Sequence, residues 1–237
     1  MSFAALFLDM DHTLCDTARA DEAGLLDLAR HLEQEGLVLK ESENFARHFM
    51  ELLYQNPEDF LRNPGEEEAD YRGRLLQFAL ARHLALDFER CRELVLNLMA
   101  KRMEHYDFFS GVRDLLAQLR KNYKLIVITN GPLFSQQPKV DRVQLGDHVD
   151  HLVLAGALPW QKPDVRIFEF ALQLEGLKPS QVCHIGDSLS SDVAGAMAAG
   201  IPCVWVNAEG LPCPKNLRPD GVIEKFVELP RVLEQRF

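Results

Sequence analysis

The sequence predicts an α/β fold in which a parallel sheet is covered by helices on both faces, with a helical block inserted after the first strand. Three observations carry this. From about residue 110 onward, short apolar runs alternate with amphipathic stretches, the pattern of repeated strand–helix units. The opening run Phe3-Ala-Ala-Leu-Phe-Leu8 is continuously apolar, as a strand buried on both faces requires. Between about Thr17 and Tyr106 no strand is legible and a helical period takes over. The predicted architecture is therefore a Rossmann-like core, residues 1–16 and 107–237, with an inserted helical cap over residues 17–106.

The elements follow in order. The first strand ends at Asp9-Met-Asp-His-Thr13. Leu25, Leu26, Leu28, Ala29 and Leu32 make one apolar stripe, stopped at Gly36. Phe45, Phe49, Leu52 and Leu53 make a second, followed by the breakers Asn56-Pro57 and Asn63-Pro64-Gly65. Leu75, Phe78, Ala79 and Ala81 predict a third helix, and Cys91, Leu94, Val95, Leu98 and Met99 a fourth. Glu66-Glu-Glu68 reads as a solvated helix start, which the helix dipole favours. Beyond Ser110-Gly111, residues 112–120 read as a helix and Lys124-Leu-Ile-Val-Ile128 as a buried strand ending at Thr129-Asn-Gly131. His151-Leu-Val-Leu154 is a third strand, and residues 164–175 form a helix with Pro163 at its start. Val182-Cys-His-Ile185 is a fourth strand, closed by Gly186-Asp-Ser188. A small-residue helix over 192–199 stops at Gly200, before the strand Cys203-Val-Trp-Val206. Residues 208–220 read as a loop, Val222-Ile223 as a short sixth strand, and 227–235 as a last helix.

Composition narrows the function. A formal net charge of −10 argues against a nucleic-acid polymer as partner and against an anionic membrane surface. An anionic substrate gains nothing from that average field, so a phosphate site must be made locally positive by a metal ion or by placed Lys and Arg. The five cysteines, Cys15, Cys91, Cys183, Cys203 and Cys213, are odd in number and show no zinc or redox spacing. Reduced thiols in a cytoplasmic protein are expected. The apolar start is too short for a secretory signal, and no stretch reaches the roughly 18–20 apolar residues that span a bilayer.

In an open parallel sheet, ligands bind beyond the carboxyl ends of the strands. At that edge the first strand delivers Asp9 and Asp11, the second Thr129 and Asn130, and the fourth Asp187, followed by Asp192. Lys162 follows the third strand. Carboxylates from different strands can hold a hard cation, and Mg²⁺ suits oxygen ligands that leave room for water and a phosphate oxygen. A free Asp can attack phosphorus, a second carboxyl can serve as acid and then base, and Lys162 with the Thr129 hydroxyl can stabilise the equatorial oxygens.

Asp9-Met-Asp-His-Thr-Leu14, Thr129-Asn-Gly131, Lys162-Pro163 and Gly186-Asp-Ser-Leu-Ser-Ser-Asp192 resemble the four ordered motifs of the haloacid dehalogenase-like (HAD) hydrolases. The resemblance implies catalytic roles for Asp9, as nucleophile, and Asp11, as general acid–base. It implies Mg²⁺ held by Asp9, Asp187 and the backbone carbonyl of Asp11, with Asp192 supporting the metal's water shell. Phosphate contacts fall to Thr129, Asn130 and Lys162. The helical block resembles the family's first cap class. The dehalogenase branch lacks a carboxylate at position 11, so Asp11 favours phosphate-ester hydrolysis. The motif details are similar to those of the nucleotidase and N-acylneuraminate-9-phosphatase group, although position 12 is His where many relatives carry Gly, Asn or Glu.

Each motif alone has an ordinary reading. A lone Asp-x-Asp is usually a solvated turn, Asn-Gly is a turn dipeptide, and Asp187 or Asp192 could cap a helix. Four motifs in order, each at a strand end or the following loop, outweigh these. His12, His148, His151 and His184 are assigned as structural or exposed, none as a ligand. Arg19, Arg47, Arg72 and Arg74 are candidate contacts to a distal anionic group of the substrate, with a solvated role the preferred reading for each. The expected activity is hydrolysis of a small phosphorylated metabolite, a nucleoside monophosphate or a sugar phosphate. The alternatives are a phosphomutase and, further off, a non-catalytic binding protein. Substrate and oligomeric state are not legible in the sequence.

Overall fold

The computed structural model describes residues 3–55 and 66–236. Six parallel strands lie in the order β3-β2-β1-β4-β5-β6. They are β1 (Ala5–Leu8), β2 (Lys124–Thr129), β3 (His151–Leu154), β4 (Val182–Gly186), β5 (Cys203–Val206) and β6 (Gly221–Ile223). This is the doubly wound order, with β1 central. The chain builds outward on one side of β1 and then crosses to the other, so the switch point lies between β1 and β4.

Both faces of β1 are covered, which explains its unbroken apolar run. Phe7 is in register with Ile126 and His184, and all three point to the side occupied by Phe168 and Trp205. Leu6 and Leu8 face the opposite way beside Leu125, Val127, Cys183 and Ile185, all without solvent exposure. Each such large apolar side chain contributes about 1.5–3 kcal/mol when fully buried.

The chain divides into two compact units, one comprising the N-terminal residues through Thr17 together with Asp107 onward, the other Ala18–Tyr106. The second holds α1 (Thr17–Gln34, beyond its first residue), α2 (Leu39–Gln55), α3 (Glu68–Leu80) and α4 (Phe88–His105). Its core includes Leu28, Leu32, Phe45, Phe49, Leu75, Leu94, Val95 and Leu98. The α3–α4 contact is close because Gly73 carries no side chain: a Cβ there would sit 3.0 Å from the Arg92 backbone. Asp87 caps α4 by accepting from the Arg90 N–H at 2.8 Å.

Several expectations need correction. Leu26 and Phe78, assigned to buried stripes, are 46% and 69% exposed, and Ala81 lies past the end of α3. Leu76 and Leu80 fill the core instead. The acidic start of α3 is not simply solvated: Glu66 pairs with Arg74 at 2.6 Å and Glu68 pairs with Arg72, whose side chain is buried. Arg72 and Arg74 are therefore engaged within their own unit. The Asn56-Pro57 and Asn63-Pro64-Gly65 breakers lie outside the described residues.

In the sheet-containing unit, α5 (Val112–Leu119) and α8 (Val165–Leu174) fall where expected, the latter capped by Asp164, with Pro163 before the cap and in a cis peptide bond. The sequence reading omitted α6 (Leu133–Arg142) and α7 (Leu145–His148). The segment after β4 is not one helix from Asp192: a single π-type turn, Leu189–Val193, comes first and leads into α9 (Ala194–Ala198). The last helix, α10, runs Leu229–Arg236, after a 3₁₀ turn at Phe226–Glu228. Among the described residues no helix is long and apolar enough to cross a membrane.

Candidate active site

The carboxyl ends of β1, β2 and β4 bring the motif residues together. Asp9 follows β1 directly, and its N–H donates to the Ile185 carbonyl of β4 at 2.9 Å, which fixes the strand end beside Asp187. The chain then turns sharply. His12 adopts φ 58°, its N–H donates to the Cys15 carbonyl at 3.0 Å, and the Leu14 and Cys15 N–H groups return to the Met10 carbonyl. Left-handed backbone is tolerated by His far better than by a β-branched residue.

Lys162 lies at the centre of a buried charge cluster. Its ammonium donates to Asp9 Oδ1 at 2.5 Å and to Asp192 Oδ1 at 2.7 Å. Asp192 also accepts from His184 Nε2 at 2.9 Å and, through Oδ2, from the Ser188 N–H at 3.0 Å. Burial alone would raise the Asp192 carboxyl, but the Lys162 charge and the His184 hydrogen bond hold it below the usual range. Burial would lower Lys162, and its two carboxylate partners raise it instead. Lys162 is charged here, held by two acidic partners.

One oxygen each of Asp9, Asp187 and Asp192 lies within 4.8 Å of the others. Burial pushes Asp187 up to about 8, with the Asp9 and Asp192 charges adding to the effect. Asp9 is also raised, chiefly by burial, against the pull of Lys162. Three carboxylates and one ammonium leave a local excess of negative charge on hard oxygen donors, the surroundings that suit a divalent cation such as Mg²⁺. Asp192 is occupied by Lys162, His184 and Ser188, so Asp9 and Asp187 are the better-placed ligands. Thr13 Oγ1 donates to Asp187 Oδ1 at 3.3 Å, and Trp205 Nε1 holds the Asp187 carbonyl at 2.8 Å. The helix-cap reading of Asp192 is replaced: Ser188 caps the turn by accepting from the Ser191 N–H.

Thr129 is buried at the end of β2, its hydroxyl 3.4 Å from the Asn130 carbonyl. The Asn130 side chain is spent on Lys162: Nδ2 donates to the Lys162 carbonyl at 2.8 Å and Oδ1 accepts its N–H at 2.9 Å. Asn130 thus pins the loop that presents the lysine.

Asp11 stands in a separate polar nest. Thr17 Oγ1 donates to Oδ1 at 2.7 Å, and Lys139 Nζ and Gln136 Nε2 donate to Oδ2 at 2.7 and 3.1 Å. Burial would raise this carboxyl, yet the Lys139 charge and the three hydrogen bonds take it down to about 2. Thr17, Gln136, Lys139 and the His184 contact to Asp192 were not found from the sequence. The signal for the α6 pair lies in two polar residues three apart just after Thr129-Asn-Gly131, which become neighbours only once that stretch is helical. Of the remaining histidines, His151 pairs with Glu175 at 2.7 Å and His148 stacks edge-on against Phe108.

The chain belongs to the haloacid dehalogenase-like hydrolases, whose family model matches residues 3–200. Its curated relatives include phosphatases and a nucleotidase of that family, and it is a phosphoric monoester hydrolase. It is 29% identical to the human N-acylneuraminate-9-phosphatase over 97% of this chain and 93% of that protein. It is 32% identical to the pyrimidine 5'-nucleotidase YjjG of Escherichia coli over 65% of this chain and 67% of the nucleotidase. Among solved structures it shares the fold of the HAD-hydrolase YfnB from Bacillus subtilis, with a TM-score of 0.74, 21% identity, and coverage of 98% of this chain and 99% of that one.

Proposed function

We propose that the protein is a Mg²⁺-dependent phosphatase that hydrolyses a small phosphomonoester through an aspartyl-phosphate on Asp9. The convergence of Asp9, Lys162, Asp187 and Asp192 at the sheet's switch point, with Asp11 two residues beyond Asp9, is the observation that supports this reading most. In this reading Asp9, Asp187 and the Asp11 main-chain carbonyl hold Mg²⁺, which supplies charge neutralisation between a carboxylate nucleophile and an anionic substrate.

The chain's own groups do the rest. An Asp9 carboxylate oxygen attacks phosphorus; the new O–P bond forms as the ester O–P bond breaks, and the leaving alkoxide takes a proton from Asp11. Lys162 and Thr129 stabilise charge on the equatorial oxygens, while Asn130 keeps Lys162 in place. In the second half-reaction water attacks the same phosphorus, gives its proton to the ionised Asp11, and frees phosphate and Asp9. The donors Lys139, Gln136 and Thr17 favour the ionised form of Asp11 that the second half requires. The first half needs the protonated form, which substrate favours by setting the negative phosphoryl group beside Asp11.

The names of the relatives direct the substrate search to acylneuraminate 9-phosphates, other sugar phosphates and pyrimidine nucleotides. A cytoplasmic setting belongs to the proposal, supported by five cysteines outside any disulfide, four of them buried. The test is hydrolysis of p-nitrophenyl phosphate with and without Mg²⁺, followed by a panel of phosphorylated metabolites. Metal-dependent release of inorganic phosphate is expected, absent in Asp9→Asn. Transfer of the phosphoryl group to a second sugar hydroxyl, with little free phosphate, would point to a mutase instead.

A further inference from the structure

We infer that Lys139 and Gln136 are positioning residues for the acid–base carboxylate Asp11, and that the buried face of α6 exists to hold it. The inference deepens the proposed function and rests on Asp11 being the acid–base group. A helix of this length in an α/β core normally buries an apolar stripe. The buried residues of α6 are Gln136, Lys139 and Val140. Lys139 is only 3% exposed, so its ammonium has left water, a cost that is offset only by well-placed partners.

Both polar side chains of that face converge on one atom, Asp11 Oδ2, at 2.7 Å for Lys139 and 3.1 Å for Gln136. Gln136 Nε2 also donates to the Asn130 carbonyl. This orientation leaves Gln136 Oε1 buried without a hydrogen-bond partner, which packing alone does not reward. Gly131 lies against the same side chain. Gly131 has φ +115°, and a Cβ there would lie 2.7 Å from Gln136 Nε2. One helix thus ties the strand end that carries Thr129 and Asn130 to the carboxylate after β1. With Oδ2 gripped from α6 and Oδ1 held by Thr17, the Asp11 carboxyl is held in one orientation, and a group that transfers protons gains from such positioning.

A role in positioning the acid has a signature that a purely structural role lacks: the loss depends on how much the leaving group needs a proton. The experiment measures kcat/KM on dinitrophenyl, p-nitrophenyl and phenyl phosphates for the unmodified protein, Asp11→Asn, Lys139→Met, Lys139→Arg and Gln136→Met, with melting temperatures alongside. The unmodified protein should depend weakly on leaving-group basicity, and Asp11→Asn steeply. Lys139→Met should steepen the dependence in the same sense, losing roughly tenfold more on phenyl than on dinitrophenyl phosphate, within the usual range for general acid catalysis. Lys139→Arg, which keeps the charged donor, should recover part of it. If Lys139→Met does not fold, Gln136→Met carries the test with a smaller steepening. Equal losses on all three esters in the folded α6 variants, beside a steep Asp11→Asn, would overturn the inference alone. A shallow Asp11→Asn would instead remove the acid–base reading beneath it.

Discussion

Lys162 donates to Asp9 at 2.5 Å across 153 positions of sequence, so the most buried ammonium of the site sits against the carboxylate proposed to attack phosphorus. The pair is closed on the far side by Asp192, itself held by His184. Removing the lysine would leave two buried carboxylates facing each other without their shared cation. Lys162→Met should therefore lose about 3 kcal/mol or more of stability, the cost of breaking a buried ion pair from one side. It should also lose roughly a hundredfold or more in kcat. Thermal unfolding and steady-state kinetics on the same preparation check both. A folded variant of full activity would remove Lys162 from the mechanism.

Asp187 supplies the opposite case. Burial presses on its carboxyl, and the neighbouring Asp9 and Asp192 add to the pressure. Without metal, ionising it costs the folded state. Asp187→Asn should raise the stability of the metal-free protein by about 1 kcal/mol or more at neutral pH, because a raised carboxylate pKa is a penalty once pH exceeds the unfolded value. The unmodified protein should gain about 2.7 kcal/mol when Mg²⁺ reaches a hundred times its Kd, and the variant should gain little. Melting curves over a Mg²⁺ series measure this. Equal Mg²⁺ shifts in both proteins would place the metal elsewhere.

Gly186 tests the geometry of the cluster without touching a charge. A Cβ at this position would sit 2.2 Å from Asp192 Cγ, so Gly186→Ala must displace that carboxylate and loosen Lys162. Overpacking of this kind costs about 1–3 kcal/mol. The expected outcome is a folded protein with roughly a hundredfold less activity, since a displacement near 1 Å in a positioned site has an effect of that order. Kinetics together with a melting curve separate the two effects.

The parts of the site that were readable from sequence are those whose signal is local. A wholly apolar run ending in Asp9 announces a buried strand and a polar edge, and so do the runs ending at Thr129 and Asp187. Their meeting point follows from the rule for parallel sheets, because β1 lies between β2 and β4. The α6 contribution was not readable. Pro138 lies inside that helix and argues against one, while the buried face is Gln136, Lys139 and Val140, which has no apolar period to detect. His184 was hidden for a related reason: a histidine within an apolar run gives no sign that its ring reaches Asp192. In the helical unit, Leu26 and Phe78 extended real stripes beyond their buried edge, and the Glu66–Arg74 and Glu68–Arg72 pairs looked like solvent-facing charge.

Rapid acid quench of the enzyme turning over a radiolabelled phosphomonoester in Mg²⁺, followed by peptide mapping, examines the covalent step itself. Acid-stable, base-labile phosphate is expected on the peptide that contains Asp9, and none should form in Asp9→Asn. Label on any other residue, or full turnover by Asp9→Asn, would contradict the account.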